Sequence, residues 1–212
     1  MTFNAPFGRV LTPPFSPALK GGGIVNINES TGTFLNVLST ARSYGNSHTT
    51  RGPQLFRYDL SALIGIVAKQ AKITFTRGNT STSVATYTAN FYSVSSANGD
   101  WVCMPSGNPA PEDVCCYAAK KADGLGGVKV TWAGSDGMQT AGTDYVNTLL
   151  GTLIFYRTGT AGDQYVLDLN SDGLTLINGW IQDSANNYGL MTPSAEFSAV
   201  TMNFPTVLTI TY

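Results

Sequence analysis

Gln54-Leu55-Phe56-Arg57-Tyr58-Asp59-Leu60 alternates from end to end, with Phe56, Tyr58 and Leu60 pointing one way and Leu55, Arg57 and Asp59 the other. A period of two marks a β-strand that lays one face on a core. The same alternation recurs outward from this stretch. It appears in Lys72-Ile73-Thr74-Phe75-Thr76, in Tyr87-Thr88-Ala89-Asn90-Phe91 and in Val128-Lys129-Val130-Thr131-Trp132. The final run, Val207-Leu208-Thr209-Ile210-Thr211-Tyr212, sets Leu208, Ile210 and Tyr212 on one face. These runs are rich in β-branched and aromatic residues and are separated by Gly, Asn, Asp and Ser clusters. Helix signals are few. Leu174 to Gln182, capped by Asp172, predicts one short helix with Leu176, Ile177, Trp180 and Ile181 inward, and Ser61 to Ile66 predicts a single turn. The expected fold is all-β: an antiparallel β-sandwich or jelly roll with an extended N-terminal arm and at most one short helix.

The arm is read at residues 1–23 and the sandwich at residues 24–212. Thr12-Pro13-Pro14-Phe15-Ser16-Pro17 excludes regular helix, because each proline lacks an N–H and restricts the residue before it. Gly21-Gly22-Gly23 makes a joint. Phe3, Phe7 and Phe15 are the apolar anchors of the arm, suited to docking on its own domain or on a neighbouring subunit.

Composition bounds the function. The chain has 212 residues, of which 12% are charged, about half the usual share. Twelve basic residues against thirteen acidic ones leave a net charge of -1, and no cationic run exceeds Lys120-Lys121. Nucleic-acid binding needs clustered cations, so that class is set aside. No stretch reaches the ~20 apolar residues of a membrane span, so no membrane insertion is expected. Met1 to Arg9 lacks a basic start followed by an apolar core. The expectation is a protein made and used without the general secretory route, or one whose leader was replaced by a Met. Cys103, Cys115 and Cys116 make an odd count, against a closed disulfide framework. Two states stay open: three reduced thiols, or Cys103 bridged to one of the vicinal pair. The loop from Met104 to Gly127 is long and irregular, a length that loops with contacts often have.

Catalytic signals are missing from the sequence. His48 is the single histidine, Glu29, Glu112 and Glu196 are the only glutamates, and no nucleophile, zinc or phosphate-loop motif is present. No enzyme activity and no catalytic residue is expected. Asp168-Leu169-Asn170-Ser171-Asp172-Gly173 matches the first half of a calcium loop, with oxygens at alternate positions from Asp168, Asn170 and Asp172. The second half fails, because position twelve is Gly179 and Asp183 is the nearest carboxylate. A turn leading into a capped helix uses the same residue types and is the preferred reading. Trp132 and Trp180 fall at inward positions and are assigned to the core. Trp101, beside Gly99-Asp100, is the candidate surface contact for a glycan.

The order of short motifs resembles a known family. Tyr44-Gly45-Asn46, then Leu55-Phe56-Arg57-Tyr58-Asp59-Leu60-Ser61, then Ala71-Lys72-Ile73-Thr74-Phe75 is similar to the opening of DNRLRE-type domains. Val130-Thr131-Trp132 matches a "Val-Thr-Trp" in the middle. Val166-Leu167-Asp168-Leu169, Trp180, Asn186-Asn187-Tyr188-Gly189-Leu190-Met191, Phe197-Ser198 and Pro205 to Tyr212 follow the closing order. The resemblance implies a sandwich of the carbohydrate-binding-module type, usually attached to secreted enzymes or cell-surface proteins. The arm and the Cys-containing loop depart from that family.

Two roles follow as expectations. The first is a structural subunit located in a virion, such as a capsid decoration, cement or tail-associated protein, whose partners are copies of itself and other assembly subunits. The second is an extracellular or cell-surface carbohydrate-binding module that contacts surface glycans. No cofactor is expected beyond the calcium question.

Overall fold

The computed structural model of the protein describes residues 3–4, 10–11, 23–28, 31–34, 53–101, 119–122, 128–134, 137–193 and 202–212. In chain order the strands are β1 (Phe3–Asn4), β2 (Val10–Leu11), β3 (Ile24–Asn28), β4 (Thr31–Phe34), β5 (Gln54–Arg57), β6 (Gln70–Arg77) and β7 (Thr86–Val94). They continue with β8 (Lys121–Ala122), β9 (Val128–Val130), β10 (Tyr145–Tyr156), β11 (Gln164–Asp168), β12 (Leu190–Thr192) and β13 (Met202–Thr211). Helix α1 (Ser171–Gln182) lies between β11 and β12.

Two antiparallel sheets form the body. One runs β11-β6-β13-β3, the other β10-β7-β12-β5-β4. Count β3, β5, β6, β7, β10, β11, β12 and β13 as first to eighth. The first sheet then reads first-eighth-third-sixth and the second reads second-seventh-fourth-fifth. That interleaving of two Greek keys is a jelly roll. β4 extends the second sheet beyond β5. Two small ribbons, β1-β2 and β8-β9, stand outside both sheets. In β1-β2 the arm doubles back, pairing Phe3 with Leu11 and Asn4 with Val10, so its start is a hairpin and not a continuous extended run. The side chain of Phe3, and all of Phe7 and Phe15, lie outside the described residues.

The alternation works as the sequence predicts. Ala71, Ile73 and Phe75 of β6 and Leu208 and Ile210 of β13 are buried against Phe56, Ala89, Phe91, Leu153 and Phe155 of the other sheet. Phe75 meets Phe56 edge-on at 5.5 Å and Phe91 at 5.6 Å, which ties the two sheets through three rings. Each buried phenylalanine contributes roughly 1.5–3 kcal/mol by area removed from water. The Tyr58 hydroxyl and the Thr206 hydroxyl are 2.6 Å apart, a polar stitch from the end of β5 to β13.

Helix α1 is longer than the sequence predicts and begins earlier. Its cap is Asn170, whose side chain accepts from the N–H groups of Asp172 and Gly173. Asp172 sits in the first turn instead, where its charge suits the helix dipole. Ile177, Trp180 and Ile181 are buried, and Leu176 is half-buried. Asn178 fastens the helix by exchanging two hydrogen bonds with the backbone of Ala68, at 2.8 and 3.0 Å.

Arg77, at the end of β6, is fully buried. Its Nε donates to the Asn79 carbonyl, its Nη1 to the Tyr156 carbonyl at 2.9 Å and the Tyr165 hydroxyl at 3.3 Å, and its Nη2 to the Arg157 carbonyl. Among the described residues it makes no ion pair. Its charge is met by oxygen dipoles alone, which fits the fork of five donors that a guanidinium carries.

Candidate functional site

One end of the outward face of the second sheet is covered, while its other end, with Thr88, Ile154 and Tyr156, is solvated. Leu55, Val94, Tyr145 and Met191 point outward and meet Trp101, Trp132 and Met138 in a second apolar cluster. The cover comes from the chain between β7 and β10, so at this end the sheet is buried on two faces. A buried polar knot holds the cover in place. The Asp144 carboxylate accepts from Asn98 Nδ2 at 3.0 Å, from the Gly134 N–H at 2.9 Å and from the Thr140 N–H at 3.0 Å. The Asn98 side-chain oxygen accepts from the Ala133 N–H at 2.9 Å.

At the rim of this cover, three turns enclose a cleft of about 580 Å³. They follow β5, follow β7 and precede β12, three strands that lie side by side in the order β7-β12-β5. Two of the turns are shaped by their own short polar residues. Asp59 Oδ1 accepts from both the N–H and the hydroxyl of Ser61 and starts a 3-10 turn over Ser61–Leu63. Asp183 Oδ1 accepts from the Ala185 N–H and starts another over Ser184–Asn186. Ser96–Asn98 forms the third. Short polar side chains that bond their own backbone are the usual makers of such turns.

The floor of the cleft is rigid. The Arg57 guanidinium lies over the Trp101 ring at 4.6 Å, and its Nη2 donates to the carbonyls of Gly99 at 2.7 Å and Tyr188 at 3.3 Å. Trp101 Nε1 donates to the same Tyr188 carbonyl at 2.8 Å. Gly99 lies so close to Tyr188 that a Cβ there would stand 2.1 Å from the ring. Gly189 has a φ of +93°, and a Cβ would stand 2.6 Å from the Phe56 carbonyl oxygen. No other residue type fits both demands at that position. One wall is set by ion pairs. Lys120 Nζ is 2.8 Å from Asp100 Oδ1 and Lys121 Nζ is 2.9 Å from Asp100 Oδ2. Partial burial pushes the Asp100 carboxyl up, but hydrogen bonds and charge from Lys120 and Lys121 outweigh it and hold the group at about 2.

Neither a model of a known family nor a curated protein matches the chain.

Trp101 requires a correction. The sequence places it on the surface as a glycan contact, yet it is 1% exposed, roofed by Arg57 and tied to Tyr188. Its ring face is occupied within the protein, so it supports the cleft from below. Trp132 and Trp180 are buried, in line with their assignment to the core.

The three calcium-loop residues are turned to separate tasks. Asp168 pairs with Lys72 at 2.8 Å, Asn170 caps α1, and Asp172 stands exposed in the first helical turn. Asn170 Nδ2 also donates to the Leu149 carbonyl at 2.7 Å. Among the described residues, no three His, Cys, Asp or Glu side chains gather into a group able to hold a metal. Cys103, Cys115, Cys116 and His48 lie outside the described residues.

The residues that do converge are Arg57, Asp59, Asp100, Asn187 and Tyr188. Arg57 and Asp59 read as outward positions of the alternating run, and Asn187 and Tyr188 enter only through the family resemblance. Their meeting depends on strand order, which no local pattern carries.

Proposed function

We propose that this chain is a non-enzymatic subunit of a multi-subunit assembly, most concretely a virion surface component such as a capsid decoration, cement or tail-associated protein. The observation that carries this reading is β10. It forms an edge of the second sheet and runs for 12 residues, none of them charged. Its neighbour β7 carries no charge either. On their shared outward face Ile154 and Tyr156 are 55% and 57% exposed, in register with Thr88 and Thr86. Charged residues, a common guard of sheet edges, are absent from both strands, while a bulge between Val146 and Gly151 and the bonds from Asn170 to the Leu149 and Leu150 carbonyls cover only the middle of β10. Depletion of charge with exposed aromatic and aliphatic side chains is also how the centre of a subunit interface is composed. The jelly roll recurs in capsid and lectin domains, an analogy of fold that agrees with the reading without naming the partner.

Sedimentation velocity on the full chain and on Ile154→Lys tests this. The full chain should sediment as an oligomer. The variant should shift toward monomer with an unchanged circular dichroism spectrum. A monomeric full chain, or an oligomer indifferent to the substitution, would refute the assignment of β10 as the contact.

A second reading is favoured by one observation of its own, the cleft between the turns at 58–61, 96–100 and 184–188. A concave site of 300–1,000 Å³ with converging polar groups is what small-ligand sites have in common. Together with the resemblance to DNRLRE-type domains, it supports a glycan-binding role, either at a cell surface or on the outside of a particle.

A further inference from the structure

We infer that β10 pairs, edge to edge and antiparallel, with β10 of a second copy of this chain, across a two-fold axis beside Leu153; this rests on the reading of β10 as a subunit contact. The backbone sets the register. Along an antiparallel strand, successive residues turn their N–H and C=O to opposite sides. The Arg157 N–H donates to the Ala85 carbonyl, and Phe155, Leu153 and Gly151 stand opposite Tyr87, Ala89 and Phe91 in the same register. The odd-numbered residues therefore bond to β7, and Thr152, Ile154 and Tyr156 turn their main-chain groups to the free edge. Two observations agree with that parity. The Leu150 carbonyl accepts from the Asn170 N–H at 2.8 Å, and the Tyr156 carbonyl accepts from Arg77 Nη1 at 2.9 Å and from the Tyr165 hydroxyl at 3.1 Å. None of these donors belongs to β7, and they plug the two ends of a short window. Between them, Thr152 and Ile154 present N–H and C=O on an edge that no other strand covers among the described residues.

A second copy suits this window. Two-fold symmetry sets Thr152 of one copy opposite Ile154 of the other, so each open N–H meets an open C=O and none is left over. Moving the axis to Ile154 would aim the Thr152 N–H at the Tyr156 carbonyl, which already accepts two donors. An isologous contact also brings side chains near their own mates, where a charge would meet its like. No residue of β10 or β7 is charged, so that repulsion is absent. On the outward face Ile154 and Tyr156 are exposed, and Val84, just before β7, is 92% exposed. These side chains add the apolar area that main-chain bonds lack. The union would fuse two five-stranded sheets into one continuous sheet.

The test uses the full chain, with sedimentation velocity across a concentration series and amide exchange followed by NMR above and below the association midpoint. The Thr152 and Ile154 amides should exchange about tenfold or more slowly in the associated state, while those of Leu153 and Phe155, bonded to β7, should be slow in both. Thr152→Pro removes an outward N–H and leaves the β7 ladder and the Ile154 side chain in place, at a position where an edge strand tolerates proline. It should weaken association by about tenfold or more with an unchanged circular dichroism spectrum. Thr152→Ala, which keeps the N–H, should associate as the parent does. Should the proline variant misfold, amide exchange in the parent decides alone. Association that survives in a folded Thr152→Pro overturns edge pairing. So does equal weakening by Thr152→Ala, or exchange of the Thr152 and Ile154 amides at the same rate in both states. If Ile154→Lys still disperses the oligomer in those cases, the contact runs through side chains and the assembly reading stands. A full chain that stays monomeric refutes both.

Discussion

Arg77 offers the sharpest test of how this sandwich is held together. Replacing it with Met keeps most of the side-chain length and removes the guanidinium. Three backbone carbonyls, of Asn79, Tyr156 and Arg157, then lose the guanidinium as donor in a site where the side chain is fully buried, and only that of Tyr156 keeps a second donor in view, the Tyr165 hydroxyl at 3.1 Å. A hydrogen bond to a charged group contributes about 1.5–3 kcal/mol, so three of them set an upper range of several kcal/mol. Relief from burying an unpaired charge offsets part of that loss. The net expectation is a destabilisation of about 3–5 kcal/mol, against a total stability of about 5–15 kcal/mol for an ordinary domain. In a chain of this size that lowers the melting temperature by roughly 6–20 °C. Arg77→Lys should recover little, because one ammonium cannot reach carbonyls arranged around a planar fork. The assay is urea unfolding followed by circular dichroism, with the midpoint and slope fitted separately. A Met variant within about 1 kcal/mol of the parent at equal slope would show that these carbonyls find water or each other, and the account of Arg77 as the clamp on that end of the sandwich would fall.

Four further outcomes are expected. Gly189→Ala should cost at least about 2 kcal/mol, from a positive φ and a Cβ driven against the Phe56 carbonyl; a near-neutral melting curve would contradict the close packing there. Asp100→Asn should lower stability at pH 5 by less than about 1 kcal/mol, since the pair is half-exposed. Because the folded carboxyl sits at about 2, below its ordinary 3.8, its contribution is complete above about pH 4 and fades as the pH falls through 2; a gap between parent and variant that persists at the acid end refutes the ion pairs as its source. Millimolar calcium should leave the melting temperature where a chelator leaves it, because Asn170 is engaged on the helix and Asp168 on Lys72; a rise would show that these residues let go to bind the ion. Removing residues 1–20 should leave the circular dichroism of the sandwich intact and weaken assembly, and unfolding of the shortened chain would assign the arm to its own core.

The sequence was informative where burial is one-sided. β6 reads correctly because Ala71, Ile73, Phe75 and Arg77 face the core while the residues between them are half-buried. β5 also reads as a strand, although Leu55 and Phe56 are both buried, each in a different cluster. β10 escaped notice for a physical reason. Between Val146 and Gly151 it spends five steps against the two from Ser93 to Phe91, so its side chains lose their alternation midway. The burial of Trp101 escaped notice because its partners Arg57 and Tyr188 are 44 and 87 positions away. Asn170 and Asp172 are both good caps for α1, and the choice between them depends on where β11 releases the chain.

The position of β13 has a consequence for biosynthesis. It is a central strand, pairing with β6 on one side and β3 on the other, and among the described residues β3 joins its sheet only through it. A nascent chain therefore holds β3 without a strand partner while everything from β4 to β12 emerges. The first sheet can close only after β13 has cleared the ribosome, so consolidation of the sandwich waits for the last of its strands. Long-range pairing of this kind is slow. In the interval the apolar faces of Ile27, Ile73 and Phe75 depend on whatever shields unfinished chains in the cell.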